Sequence, residues 1–143
     1  MEVEIRNCTK QSVDGRIIKR AIFETAKLLK LKGDVKLSVV LVGDKKMRSL
    51  NKHWRNKDSA TDVLSFSFAE AQDGLIENGE RGEIIICLPY ARRQARQLGI
   101  SDKKNIVLLS AHGTIHIFGI DHERSEKESE KTDEIQKKVL DLF

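Results

Sequence analysis

Three of the chain's four histidines stand within eleven residues, His112-Gly113-Thr114-Ile115-His116-Ile117-Phe118-Gly119-Ile120-Asp121-His122. Neutral imidazole is a common zinc ligand, and three protein ligands with an open fourth position describe a catalytic zinc site. Residues four apart on a helix share a face, about 6 Å from each other along the axis. His112 and His116 can therefore aim their rings at one ion. Gly119 supplies a stop, because glycine takes the left-handed conformation that ends a helix without a Cβ penalty. The chain then turns back, and His122 approaches from the third direction that tetrahedral coordination needs. Asp121 is placed to hold an imidazole N–H from behind. A core histidine or a surface cluster is the competing explanation, and three at this spacing around a glycine favour a metal.

A bound divalent ion lowers the pKa of its water from near 16 to about 7 and polarises phosphoryl or carbonyl oxygens. The spacing HxxxHxxGxxH matches the long zinc motif of metzincin proteases, HExxHxxGxxH, at every position but one. Gly113 stands where those enzymes carry the glutamate base, and glycine cannot move a proton. The downstream methionine turn is also missing, since the only methionines are Met1 and Met47. Peptide hydrolysis would need another carboxylate at the metal water, such as Asp62 or Glu83. The spacing does not choose among zinc, nickel, copper and iron.

The remaining sequence must hold these rings in place. A chain of 143 residues fits one domain, residues 1–143, able to bury about two-thirds of its unfolded surface. The 26 Lys+Arg against 22 Asp+Glu leave a formal charge of +4, which permits a nucleic-acid partner without arguing for one. Cys8 and Cys87 form no CxxC pair, and Cys87 lies in the apolar run 84–88 as a buried, inert thiol. The start, Met1-Glu2-Val3-Glu4-Ile5, lacks the basic and apolar stretches of a signal peptide, and no apolar run reaches membrane-spanning length. The expectation is a cytoplasmic protein.

Alternation of Val3 and Ile5 with Glu4 and Arg6 predicts a first strand. Asp14 caps a helix through about Leu31, with Ile18, Ala21, Ile22, Thr25, Leu28 and Leu29 on one face and Gly33 after its end. A second strand follows over 35–42. Gly43-Asp44 opens a helix whose Met47, Leu50 and Trp54 form a stripe read as core. Arg55 stands where this helix ends. Its local reading is a cation favourable to the helix dipole, and the alternative is a guanidinium that grips a phosphate with two hydrogen bonds. The third strand covers 63–66. Ala69–Arg81 is too long for a tight turn and reads as a surface excursion. A buried fourth strand covers 82–87. Pro89 starts a helix with Ala91, Ala95 and Leu98 inside and Gly99 at its end. Arg92, Arg93 and Arg96 form the densest basic patch, read as a solvated face, with phosphate contact as the alternative.

Ser101 or Asp102 caps the next helix, whose run 106–111 is apolar most of the way round. This is a central buried helix, a stiff platform for two metal ligands. Ser125-Glu126-Lys127-Glu128 is a capping-box pattern opening a last helix, with Ile135, Val139 and Leu142 inward and the charges of 123–134 solvated. The sum is one domain of four strands and about five helices.

The stretch His112–His122 resembles the signature of the YbeY family of bacterial rRNA-maturation endoribonucleases, which runs approximately HGxLHLxGYDH. Leu50-Asn51, Trp54-Arg55, Lys57-Asp58 and Thr61-Asp62-Val63-Leu64-Ser65-Phe66 resemble a second block of that family. Gly82-Glu83-Ile84 resembles a third. Departures are Ile115, Ile117, Ile120, Ser67 and Glu83, where the family usually has leucine, leucine, tyrosine, proline and aspartate. None removes a ligand. The resemblance implies an α+β fold with a small mixed four-stranded sheet packed with these helices, a bound metal (usually Zn2+) and a role in processing and quality control of ribosomal RNA. Arg55 matches the arginine that the family treats as functionally important, which reverses its local reading. On that basis the metal activates water or a phosphate oxygen of single-stranded RNA, and Arg55 orients the phosphodiester and neutralises charge developing on it. The alternatives are a ribosome assembly factor whose metal is structural, and a metal-dependent hydrolase of another substrate.

Overall fold

The computed structural model describes residues 1–68, 80–118 and 126–143. Along the chain run β1 (Glu2–Asn7), α1 (Gly15–Leu28), β2 (Lys36–Val42), α2 (Asp44–Arg55), β3 (Val63–Ser67), β4 (Glu80–Cys87), α3 (Leu88–Leu98), α4 (Asp102–Ile117) and α5 (Glu126–Leu140). The strands form one sheet in the order β1-β2-β4-β3. β1 and β2 are parallel (Val3 beside Leu37), as are β2 and β4 (Val39 beside Ile84), and β3 is antiparallel to β4 (Leu64 beside Ile85). The sheet is mixed, as expected.

Side chains alternate across a sheet, so each strand serves two layers. Val3, Leu37, Val39, Leu41, Ile84 and Ile86 turn to the main core, where Ile18 and Ile22 of α1, Leu88 and Ala91 of α3 and Ile106, Leu109 and Ile117 of α4 meet them. On the opposite face Val42, Leu64, Ile85 and Cys87 pack against Met47 of α2. Behind α4, residues Val107, Ala111 and Ile115 join Ala21 of α1 with Ile135 and Val139 of α5. α4 is thus enclosed by the sheet and three helices. Its apolar circumference anticipated this.

Caps follow local chemistry. Asp14 accepts from the Arg16 N–H (3.0 Å) and Ser101 from the Lys104 N–H (3.1 Å). Pro89 stands in the first turn of α3, and Gly99 ends that helix at φ 70°. α2 ends on Asn56 at φ 56°, with the Asn56 and Lys57 N–H groups closing onto Lys52 and Asn51. The stop at Gly119, the Asp121 partner and the Ser125 end of the capping box lie outside the described residues, as does segment 69–79.

Several expectations need correction. α1 stops at Leu28, and Lys30 takes a left-handed φ of 56° two residues later. Leu28, Leu98 and Leu142, each assigned to an inner face, are exposed at the ends of their elements, where the neighbouring layer has run out. Glu80 and Arg81 belong to β4 rather than to the excursion before it. Trp54 is the largest departure. It is 61% exposed, while Asn51 takes the buried place and donates to the Ser59 carbonyl (2.8 Å). Among the described residues the ring neighbours of Trp54 are His53 beside it (4.8 Å between centroids) and Phe66 of the edge strand β3 (5.6 Å).

The arginine patch on α3 is also reassigned. Arg92 donates to Gln11 Oε1 and the Ser12 carbonyl (both 2.6 Å), and Arg93 makes two bonds to Asp44 (2.7 and 2.9 Å). These two guanidiniums staple α3 to its neighbours, leaving only Arg96 as a solvated charge. Cys87 is fully buried, and burial pushes its thiol up to about 11, so it is unreactive at neutral pH.

Candidate active site

A cleft of about 690 Å³ opens between the last turn of α2, strand β3 and the second half of α4. His112 and His116 form its floor, Arg55 and Trp54 its rim, and Thr61 to Ser67 its side wall. The structure therefore brings together three of the four site residues read from the sequence. His122, the fourth, lies outside the described residues.

The two histidines share one face of α4, and their Nε2 atoms converge to 2.8 Å. Two nitrogens bound to one tetrahedral zinc at about 2.0–2.1 Å stand about 3.3 Å apart. A few tenths of an ångström of opening is all that the pair would need, so its donors fit such an ion. Among the described residues no third His, Cys, Asp or Glu joins them. Gln136 of α5 reaches His112 from behind, its amide 3.1 Å from Nδ1. A carboxamide can present either end. With Oε1 accepting from Nδ1–H, the His112 Nε2 lone pair faces the cleft, which is the ligand form of the ring. Nothing in the sequence signalled Gln136, which sits among the charges of the last helix.

Gly113, noted for the glutamate it replaces, has a packing reason of its own. A Cβ there would lie 2.9 Å from Ile84 Cγ2, with two further Ile84 atoms at 3.2 Å. α4 is pressed onto β4 at this point, and any side chain would push the histidine platform off the sheet.

Arg55 is exposed and makes no ion pair with any described residue. The backbone bonds of Asn56 and Lys57 close the helix end, and Lys52 shares the last turn with Arg55, so the helix dipole does not depend on Arg55 alone. Asp62 and Glu83 had been held open as bases. Both Asp62 oxygens are engaged, Oδ1 by the Val63 N–H (2.7 Å) and Oδ2 by Gln94 (3.1 Å), and Gln94 is itself held by Asn105 of α4 (3.0 Å). Asp62 is a buttress of the cleft wall. Glu83 lines a separate depression with Glu4 and Ser38.

Residues 3–143 match the model of the family described as Endoribonuclease YbeY. The chain belongs to that family. An endoribonuclease YbeY of Persephonella marina is 34% identical over 131 residues, covering 92% of this chain and 84% of the relative. One from Thermus thermophilus is 39% identical over 110 residues, covering 77% and 78%. The solution structure of a Thermotoga maritima protein superposes with a TM-score of 0.64 at 28% identity, covering 96% of this chain and 86% of that one. For a YbeY-family chain the cleft has a simple logic: the buried helix α4 presents two imidazoles from below, and the exposed end of α2 presents a guanidinium from above.

Proposed function

We propose that this chain is a metal-dependent endoribonuclease that cuts single-stranded RNA during maturation and quality control of ribosomal RNA, working on ribosomal particles in the cytoplasm. Support for RNA cleavage comes from membership of the endoribonuclease YbeY family. No helix of the described residues is long and apolar enough to cross a membrane. The observation that carries the mechanism is an arginine, in no ion pair among the described residues, on the rim of the cleft whose floor holds two convergent histidines.

His112, His116 and His122 would hold one ion, for which zinc is the natural choice with imidazole ligands. When bound, such an ion supplies a Lewis acid and a water ionised near neutral pH. Gln136 keeps His112 turned toward the cleft. Arg55 donates two N–H groups to the non-bridging oxygens of the phosphodiester and opposes the negative charge that grows there during displacement. Ser65, Ser67 and Thr61 give the wall a polar lining that a sugar-phosphate chain can lie against. No carboxylate of the described wall is free to act as the base that peptide hydrolysis would require, which disfavours a protease.

The test is cleavage of a single-stranded RNA by wild type, Arg55→Ala and His116→Ala, with metal content measured alongside. Wild type should cut, Arg55→Ala should keep its metal and lose most activity, and His116→Ala should lose both. Equal cutting by metal-stripped protein or by Arg55→Ala would overturn the mechanism. Intact RNA with fully loaded wild type would favour the assembly-factor alternative.

A further inference from the structure

We propose that Trp54 is a stacking platform for a nucleobase, holding the nucleotide next to the phosphate gripped by Arg55; this rests on the endoribonuclease reading above. Trp54 is the only tryptophan of the chain, and it is 61% exposed. It is also the sole exposed large hydrophobic of α2. The indole stands on the rim of the cleft, one residue before Arg55. Its ring neighbours meet it at steep angles, His53 at 87° and Phe66 at 64°, and neither stacks parallel to it. With most of its surface exposed and neither of these rings parallel to it, the indole can receive a flat ring.

The charge around it selects the same ligand. Residues 44–58 hold Lys45, Lys46, Arg48, Lys52, Arg55 and Lys57 against only Asp44 and Asp58. The excess of this one segment equals the formal +4 of the whole chain, so the rest is formally neutral. Both carboxylates are already paired, Asp44 with Arg93 and Asp58 with Arg48. The polymer that suits such a surface is anionic along its backbone and aromatic at intervals, which describes single-stranded nucleic acid. In a duplex the base faces are occupied by their neighbours, so stacking on Trp54 also gives a physical basis for preferring single strands.

Because Trp54 is the only indole, its fluorescence reports on the site directly. Zinc-loaded full-length protein is titrated with a short 2′-O-methyl RNA oligonucleotide, confirmed intact afterwards, and with an oligonucleotide of the same length that is abasic throughout. Stacking predicts strong quenching by the first and little by the second, with the abasic strand bound about tenfold more weakly. With a labelled strand and anisotropy as the readout, Trp54→Ala should weaken binding about tenfold and Trp54→Phe by much less. Equal quenching by the abasic strand overturns the proposal, as does wild-type affinity in Trp54→Ala. The two readings fail separately: a wild type that cuts RNA with Trp54 silent loses the platform alone, and a wild type that neither binds nor cuts RNA loses both.

Discussion

α4 and α2 face each other across the cleft and are built on opposite terms. Past its exposed first turn, Asp102 to Lys104, α4 buries ten residues between Asn105 and Ile117 and leaves His112 and His116 half-buried toward the cleft. α2 buries only Met47 and Asn51 and turns five cations and an indole to the outside. A ligand set must be held to within about half an ångström, and a helix packed on all sides does this without further help. A surface that meets a long, variable polymer gains more from charge and from flat rings, which tolerate many sequences. Precision lies on the buried wall and reach on the exposed one.

If that division is right, substitutions on the two walls must fail in different ways. Arg55→Ala should lower the rate of cleavage by about 10²–10³, the usual loss when a donor to developing charge is removed, while zinc content and thermal midpoint stay at wild-type values. A parallel fall in metal content would mean that the walls are not separable. Gly113→Ala on the other wall should cost about 1–3 kcal/mol in urea unfolding, because the added methyl meets Ile84 in a close-packed seam. A neutral result there would show that α4 is not seated as tightly as its contacts indicate.

Gln136→Leu sharpens the comparison further. It should weaken zinc binding, measured against a competing chelator, by about tenfold, with Gln136→Glu retaining affinity because its carboxylate still accepts from the imidazole N–H. Affinity unchanged in the leucine variant would remove Gln136 from the ligand's support. The smallest effect belongs to the staple that seats α2. Arg93 holds the Asp44 carboxyl below the usual carboxylate range, so folded Asp44 releases its proton more readily than unfolded Asp44 does. Its stabilisation is complete above the unfolded value of about 3.9 and fades as the pH falls through the lowered folded value. Both partners are about half exposed, so Asp44→Asn should cost at most about 1 kcal/mol at pH 7. The difference between wild type and variant should shrink toward pH 2. A difference constant with pH would show that the charge pair contributes nothing.

Much of this was legible along the chain because the signals were local. The i, i+4 spacing of His112 and His116 fixes their common face once the segment is helical, and its apolar surroundings make that helix central. Pro89, Gly99, Asp14 and Ser101 act on backbone within one turn, and each does what its chemistry dictates. Errors gathered where an element outlives its neighbour. Trp54 and Leu98 keep the helical phase of a core residue, and phase says nothing about whether another layer is still there to receive them; Leu142 lies past the end of α5. Arg92 and Arg93 were misread for a related reason, since their partners Gln11, Ser12 and Asp44 are distant in sequence.

By itself the sequence determined which residue types lie on one face of a helix, where α1 and α4 begin and α3 ends, and that two imidazoles can meet. Only tertiary structure decided that the end of α2 lies opposite those imidazoles, with Arg55 in no ion pair among the described residues and Trp54 exposed beside it. Packing also gave Gly113 its meaning, through the Ile84 side chain on a strand nearly thirty residues away. Helical periodicity is written in short-range backbone geometry, whereas the closing of two walls into a cleft depends on which surfaces the whole sheet leaves available.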